Sequence, residues 1–291
     1  MKIAITGAGG LIGSHLVQHL ARQHDVLALK RGDLDITDRG AVERCMLDAR
    51  PSLVINCAGI QVDDCERDLP LARAINVDGP GALAEAANDA GAELIHFSTN
   101  YVFDGTEIGR APYTIQDEPR PINIYGKTKL AGEGAVLQAC PRTYLIRTSW
   151  VYGRGKNNFL STAHPNLVAG KRIRAVIDLW ASTTYVVDLV AQIAEIQSGR
   201  RYGIYHVVND DVCSYYEFAL EAGRLAGLNT ARLEELVEAI KEEEAKRLAP
   251  RPRYTPMRCL ISEELGLSPM RDWRSALADY VGNEKERNNY R

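Results

Sequence analysis

Tyr125 and Lys129 are where chemistry could begin. Positions i and i+4 of a helix share a face, so Tyr125-Gly126-Lys127-Thr128-Lys129 would hold an ammonium beside a phenol. The cation would stabilise the phenolate and draw its pKa down from about 10. Such a phenol can protonate a carbonyl oxygen as hydride reaches the carbon. The spacing alone is weak, because Lys127 shows that the stretch is simply rich in lysine. Ser98-Thr99-Asn100-Tyr101 strengthens it, since a hydroxyl at a strand end can bond the same oxygen and polarise it. A hydroxyl, a phenol and an amine at the carboxyl end of one sheet make a coherent set.

Gly7, Gly10 and Gly13 form G-x-x-G-x-x-G directly after a strand and, with Leu11 and Ile12, at the mouth of a helix. Glycine permits positive φ at the turn, and free N–H groups at a helix start can approach a pyrophosphate. In that context the loop reads as a dinucleotide site. A carboxylate after the second strand would bond a ribose 2′-hydroxyl, whereas an Arg nearby accommodates a 2′-phosphate. Here Lys30 and Arg31 follow Val26–Leu29, which favours NADP(H) and leaves NAD(H) open. Asp35 and Ile36 could flank the adenine. Cys57, Ala58 and Gly59 are small enough to let a ribose lie against the backbone, and Tyr125 and Lys129 would meet the nicotinamide end. Trp150, in RTSWVYG, offers an indole face for a sugar ring or a hinge between lobes. His96 reads as a satisfied core residue.

These residues need a scaffold. Lys2–Thr6, Val26–Leu29, Leu53–Cys57, Leu94–Ser98 and Tyr144–Arg147 read as buried strands. Gly13–Gln23, Gly40–Ala49, Pro70–Ala90 and Tyr125–Ala139 carry helical periodicity. This alternation predicts an α/β fold, a Rossmann-type doubly wound parallel sheet. Further on, Val186–Ile196 is a helix candidate with Asp188 facing out, and Gly203–Val208 is a strand. Ser214–Ala226 and Ala231–Lys246 are helices, and APRPRYTP is extended. The charge-dense run from Glu234 to Arg247 reads as a solvated helix. Residues 1–150 would form the NADP(H)-binding domain, with a segment near 185–210 returning to it. Residues 151–291 would form mainly a smaller C-terminal substrate-binding lobe that closes the crevice.

With 291 residues, 45% hydrophobic and 25% charged, a sizeable core is available. A net charge of -3 gives no footprint for nucleic acid. No apolar run suits a membrane span and no signal peptide is evident. The six cysteines form no C-x-x-C pair, so reduced thiols and a cytoplasmic location are expected. A homodimer is left open.

The glycine loop, LDITD, INCAG, VDDCE, INVDGP, STNYVFDGT, YGKTKLAGE, RTSWVYG, GIYHVVN and APRPRYT together resemble the dTDP-4-dehydrorhamnose reductase family of extended short-chain dehydrogenases. The likeness runs over nearly the whole chain. It implies that NAD(P)H reduces the 4-keto group of dTDP-6-deoxy-L-lyxo-4-hexulose, giving dTDP-L-rhamnose. By position, Thr99, Tyr125 and Lys129 take the catalytic places, and Tyr101, Val102 and Trp150 line the sugar site. Asn158 and Phe159 meet the nucleotide end of the substrate. Three departures stand out. Asn100 replaces an Asp, and Asp178-Leu179-Trp180-Ala181-Ser182-Thr183-Thr184 replaces D-Q-x-G-x-P-T in a region that contacts substrate. His15 stands where some members carry a magnesium-binding Glu, so no metal site is expected. A relative acting on another nucleotide sugar, as reductase or epimerase, remains an alternative. So does a non-catalytic regulatory subunit that binds NADP, against which the complete Thr–Tyr–Lys set argues.

Overall fold

The computed structural model describes residues 1–288. The chain begins with β1 (Lys2–Thr6), α1 (Leu11–Leu20), β2 (Asp25–Leu29), α2 (Arg39–Ala49) and β3 (Leu53–Asn56). Two short helices, α3 (Val62–Arg67) and α4 (Leu69–Arg73), precede a π-helical turn at Ala74–Asp78, α5 (Gly79–Asp89) and β4 (Glu93–Thr99). Next come α6 (Ile124–Ala139), β5 (Thr143–Thr148), β6 (Val151–Tyr152), α7 (Phe159–Val168) and β7 (Ile173–Val176). They are followed by β8 (Trp180–Ala181), β9 (Thr184–Tyr185), α8 (Val186–Gly199), β10 (Gly203–His206), β11 (Cys213–Ser214) and α9 (Tyr215–Leu225). The chain closes with α10 (Thr230–Leu236), β12 (Val237–Ile240), β13 (Tyr254–Thr255), α11 (Leu260–Glu264) and α12 (Trp273–Asn288).

Six strands form one sheet in the order β10-β5-β4-β3-β1-β2, parallel throughout, as the strand–helix alternation predicted. Strands covered on both faces must be apolar on both, and β3 is buried at all four positions. α1 and α8 cover one face, over Ile5, Ile55, Ile95 and Ile146; α2, α5 and α6 cover the other, over Ala4, Val54 and Leu94. The strand order reverses at β1, between β2 and β3. In doubly wound sheets the ligand crevice opens at the carboxyl ends of such strands. A second core of Tyr152, Phe218, Trp273 and Leu277 joins α7, α9 and α12 beside that crevice. Among the described residues, no helix is long and apolar enough to cross a membrane.

Four local readings are corrected. The stretch 70–90 is not one helix. Pro80 has no N–H to give to the carbonyl of Asn76, and the chain widens there into the π-helical turn. The predicted helix Ala231–Lys246 ends at Leu236, because Val237 and Ile240 are drawn into parallel pairing with β7 and buried. The charge run from Glu234 to Arg247 is therefore part strand, ending in a 3-10 turn at Glu242–Ala245, and not a single solvated helix. Asp188 does not face out. It accepts from Arg271 at 2.7 Å and from Asn209 at 2.8 Å.

Candidate active site

α6 starts where it does because Asn123 caps it. The Asn123 side chain accepts from Gly126 N at 2.7 Å and donates to Pro250 O at 2.8 Å. Glu66 accepts the next free donor, Ile124 N, at 2.8 Å. The cap sets Tyr125 in the first turn, over the crevice, and Lys129 one turn deeper. A Cβ at Gly126 would fall 2.1 Å from Tyr101 O, so only glycine lets this turn press against the end of β4. Lys127 is exposed, whereas Lys129 is buried. The lysine-rich look of the motif thus separates into one solvated cation and one functional candidate.

Thr99 ends β4 and shares a hydrogen bond with the Tyr125 phenol. Burial pushes Tyr125 up to about 12, and the Thr99 hydroxyl opposes that rise. Lys129 is lowered to about 8 by burial, against the pull of Glu133. Its Nζ donates to Phe97 O at 2.6 Å and lies 3.4 Å from His96 Nε2. The sequence reading had the ammonium lowering the phenol. Here Lys129 spends its hydrogen bonds on β4, so Tyr125 stays a neutral acid at any ordinary pH.

The glycine loop is a cradle that side chains would fill. Gly7 has φ +64, and a Cβ there would lie 2.5 Å from the Cys57 carbonyl carbon. Gly10, Leu11, Ile12 and Gly13 line the crevice on one side, and Cys57, Ala58 and Gly59 on the other. α1 has no side-chain cap and no acid in its first turn. Its leading N–H groups are left for an anion, as a bound pyrophosphate requires. These residues fit a dinucleotide. Lys30, Arg31, Asp35 and Ile36 lie outside the cavity wall. The Lys30 stem runs alongside Gly9, and Arg31 faces Asp35 at 3.6 Å. Asp35 is turned toward Thr37, accepting from its N–H at 3.0 Å, and Ile36 is buried.

The cavity, about 610 Å³, continues from Tyr125 and Lys129 to Trp150, Asn158, Phe159, Tyr101 and Tyr215. Trp150 adopts φ 40 and stacks on Tyr215 with ring centroids 3.9 Å apart. Phe159 meets the same ring edge-on at 5.2 Å. Asn158 caps α7, accepting from Ser161 N at 2.9 Å and donating to Val151 O at 2.9 Å. Val102 is placed elsewhere. It is fully buried among Phe103, Tyr113, Val208 and Met257 and does not reach the cavity.

Several residues escaped the sequence reading. Arg247, Arg251 and Lys156 also line the cavity. Arg251 is fixed by Asp63 at 2.9 Å, and Arg247 lies over the Tyr215 ring at 5.3 Å. Behind Lys129, Arg147 and Glu133 form a buried ion pair at 2.6 Å. Asn100 donates to Thr255 at 2.7 Å and ties the end of β4 to β13. A larger cavity, about 830 Å³, opens beside Ser182, His206 and Met257. It contains none of the proposed catalytic groups. Thr99, Tyr125 and Lys129 all line the smaller one.

The model of the RmlD substrate binding domain matches residues 1–286. A dTDP-4-dehydrorhamnose reductase of Mycolicibacterium smegmatis is 43% identical, over 96% of this chain and 85% of that relative. The spore coat polysaccharide biosynthesis protein SpsK of Bacillus subtilis is 37% identical over 96% of each chain. Among solved structures, a dTDP-4-dehydrorhamnose reductase from Bacillus anthracis in complex with NADP superposes with a TM-score of 0.90 at 33% identity. It covers 97% of this chain and 99% of that one. With its glycine cradle, its Tyr125–Lys129 pair and a match spanning almost its full length, the chain belongs to the RmlD substrate binding domain family.

Proposed function

We propose that this protein reduces the 4-keto group of dTDP-4-dehydro-L-rhamnose, using NADPH, to give dTDP-L-rhamnose. It is an NAD(P)H-dependent oxidoreductase, and NADP(H) is its cofactor. The observation that carries the substrate reading is one cavity lined by three groups of residues. They are a dinucleotide cradle at Gly10–Gly13, the set Thr99, Tyr125 and Lys129, and an aromatic and cationic set of Trp150, Phe159, Tyr215, Arg247 and Arg251.

NADPH held in the cradle supplies the hydride. The chain's own residues do the rest. Thr99 bonds the keto oxygen and Tyr125 donates its proton to it. Lys129, one helical turn from Tyr125, would meet the cofactor's ribose. Trp150 and Tyr101 flank the sugar, while Asn158 and Phe159 sit toward the nucleotide. Arg247, Arg251 and Lys156 offer charge to a diphosphate, for which guanidinium groups are suited. Lys30 and Arg31 take the 2′-phosphate side, with Asp35 and Ile36 near the adenine. The departure at Asp178–Thr184 bears on the substrate. None of these residues lines the cavity. Trp180 and Ala181 pair with β11 and β13, and Thr184 hydrogen-bonds Ser149 O at 2.7 Å. The altered segment serves the lobe's packing, which favours the family's usual sugar over a different one. Free thiols at all six cysteines suit a cytoplasmic setting.

The test is NADPH oxidation with dTDP-4-keto-6-deoxyhexose, wild type against Tyr125→Phe. No oxidation by the wild type sinks the substrate reading, and undiminished oxidation by the variant sinks the mechanism.

A further inference from the structure

Behind the proposed site, polar residues cross the middle of the sheet. Thr6, Asn56 and His96 are in register on the adjacent strands β1, β3 and β4. All three are at most 1% exposed. The Asn56 side chain has a fixed orientation. Its Oδ1 accepts from Ala58 N at 3.2 Å, and a backbone N–H can only donate. The same oxygen accepts from Thr6 Oγ1 at 2.7 Å. The amide nitrogen therefore faces His96, donating to Nδ1 at 3.1 Å. A ring nitrogen that accepts carries no proton, so the neutral ring holds its proton on Nε2. Nε2 is the atom that faces Lys129 Nζ, at 3.4 Å.

We infer that His96 is a positioning residue acting through Lys129: Asn56 fixes it in the tautomer that presents N–H, not a lone pair, to the lysine. Two donors then oppose each other whenever Lys129 is charged. The contact becomes a hydrogen bond only when the amine is neutral, while Phe97 O accepts from either form. His96 thus makes Lys129 readier to part with its proton than burial alone would. The other titratable groups acting on the amine are Glu133 on α6, Cys65 on α3 and Cys57 after β3. Glu133 is committed to Arg147 and Ser98. Burial and Lys129 hold His96 well below the usual histidine range, so the ring is neutral. Ala58, pinned by the same Asn56 oxygen, lines the cofactor side, and one side chain thereby ties the cradle floor to the lysine. The link to catalysis rests on the function proposed above; the tautomer does not.

The test uses the whole apoprotein with labelled histidine and lysine. Long-range proton–nitrogen correlations read the His96 tautomer, and the Lys129 side-chain carbon shift, assigned with Lys129→Met, reads its titration. We expect Nε2 protonated and Nδ1 bare, with Lys129 titrating near 8. Asn56→Asp keeps an oxygen for Ala58 N but places an acceptor opposite His96 Nδ1. The ring proton then moves to Nδ1, Nε2 accepts from the ammonium, and Lys129 binds its proton roughly tenfold more tightly. His96→Phe separates this from the added charge, because in its presence Asn56→Asp raises the Lys129 midpoint much less. A wild-type ring protonated on Nδ1, or an Asn56→Asp shift equal with and without His96, overturns the inference. If Asn56→Asp does not fold, the wild-type tautomer alone decides. Because no substrate enters these measurements, an enzyme inert toward the dTDP-sugar would refute the proposed function and leave this result standing.

Discussion

Replacing Arg147 by Met should cost the fold more than almost any other single polar substitution. Arg147 and Glu133 are each 3% exposed and meet through two bonds, 3.0 Å from Nε and 2.6 Å from Nη2. Ser98 Oγ adds a third at 2.5 Å, so both carboxylate oxygens are used. Removing the guanidinium leaves a buried carboxylate with one hydroxyl bonded to it and only the Lys129 charge acting on it from nearby. Breaking a buried pair in this way costs about 3–5 kcal/mol. In a chain of 291 residues that is a fall in Tm of roughly 5–8 °C. Glu133→Leu should lose a similar amount by stranding the cation. The double variant Glu133→Leu with Arg147→Met removes both charges, and well-packed apolar pairs of this kind are about neutral. Denaturant unfolding of the four proteins closes the cycle. Single losses below about 1 kcal/mol, or a double variant as unstable as the summed singles, would refute the claim that desolvation of the partner left behind sets the cost.

Tyr125→Phe should lower kcat for the dTDP-sugar by about 10²- to 10⁴-fold and leave NADPH affinity intact, as read by nucleotide fluorescence; a shared loss of binding would mean that the hydroxyl is structural. Reduction should fall as pH rises through about 8, because Lys129 is charged below that value and Tyr125 remains protonated up to about 12. A kcat/KM profile flat to pH 10 would contradict this. Gly7→Ala must hold φ +64 and fit a Cβ 2.5 Å from Cys57, so cofactor affinity should drop along with about 1–3 kcal/mol of stability. Unchanged titration of the variant with NADPH would count against the cradle. Arg247→Gln should raise KM for the nucleotide sugar about tenfold while kcat holds, the pattern of lost uniform binding; a fall in kcat instead would place Arg247 nearer the chemistry.

The parts of the site built from local sequence were legible. A glycine loop between a strand and a helix has one natural geometry, and Tyr125 and Lys129 share a face because they share a helix. The sheet followed from short apolar runs such as LVIN, whose burial on both faces needs no partner to be known in advance. Contacts between distant segments were not legible. Arg251 reaches the cavity because Asp63, far upstream, holds it, and nothing in the string APRPRYT indicates that. The stretch after Leu236 has a helical charge pattern, yet the free edge of β7 captured Val237 and Ile240. β pairing with a remote strand overrode local propensity there. His96 was correctly placed in the core, but its neighbour is visible only in three dimensions.

The opposite displacements of Tyr125 and Lys129 follow from one cause and suit one direction of reaction. Burial disfavours charge on either group, so the phenol moves up and the amine moves down. On the function proposed above, the reduction needs an acid that has kept its proton, and Tyr125 keeps it. After the proton has gone to substrate, the phenolate left in a buried site needs a nearby proton to become an acid again. Lys129, one helical turn away and titrating near 8, holds one on easy terms. If Lys129 were a fully solvated lysine near its usual 10.5, its proton would be held more than a hundredfold more tightly. The burial that makes Tyr125 a poor phenolate thus also makes its neighbour a ready donor. Both effects come from α6 being drawn against β4 at Tyr101, where Gly126 alone permits the approach.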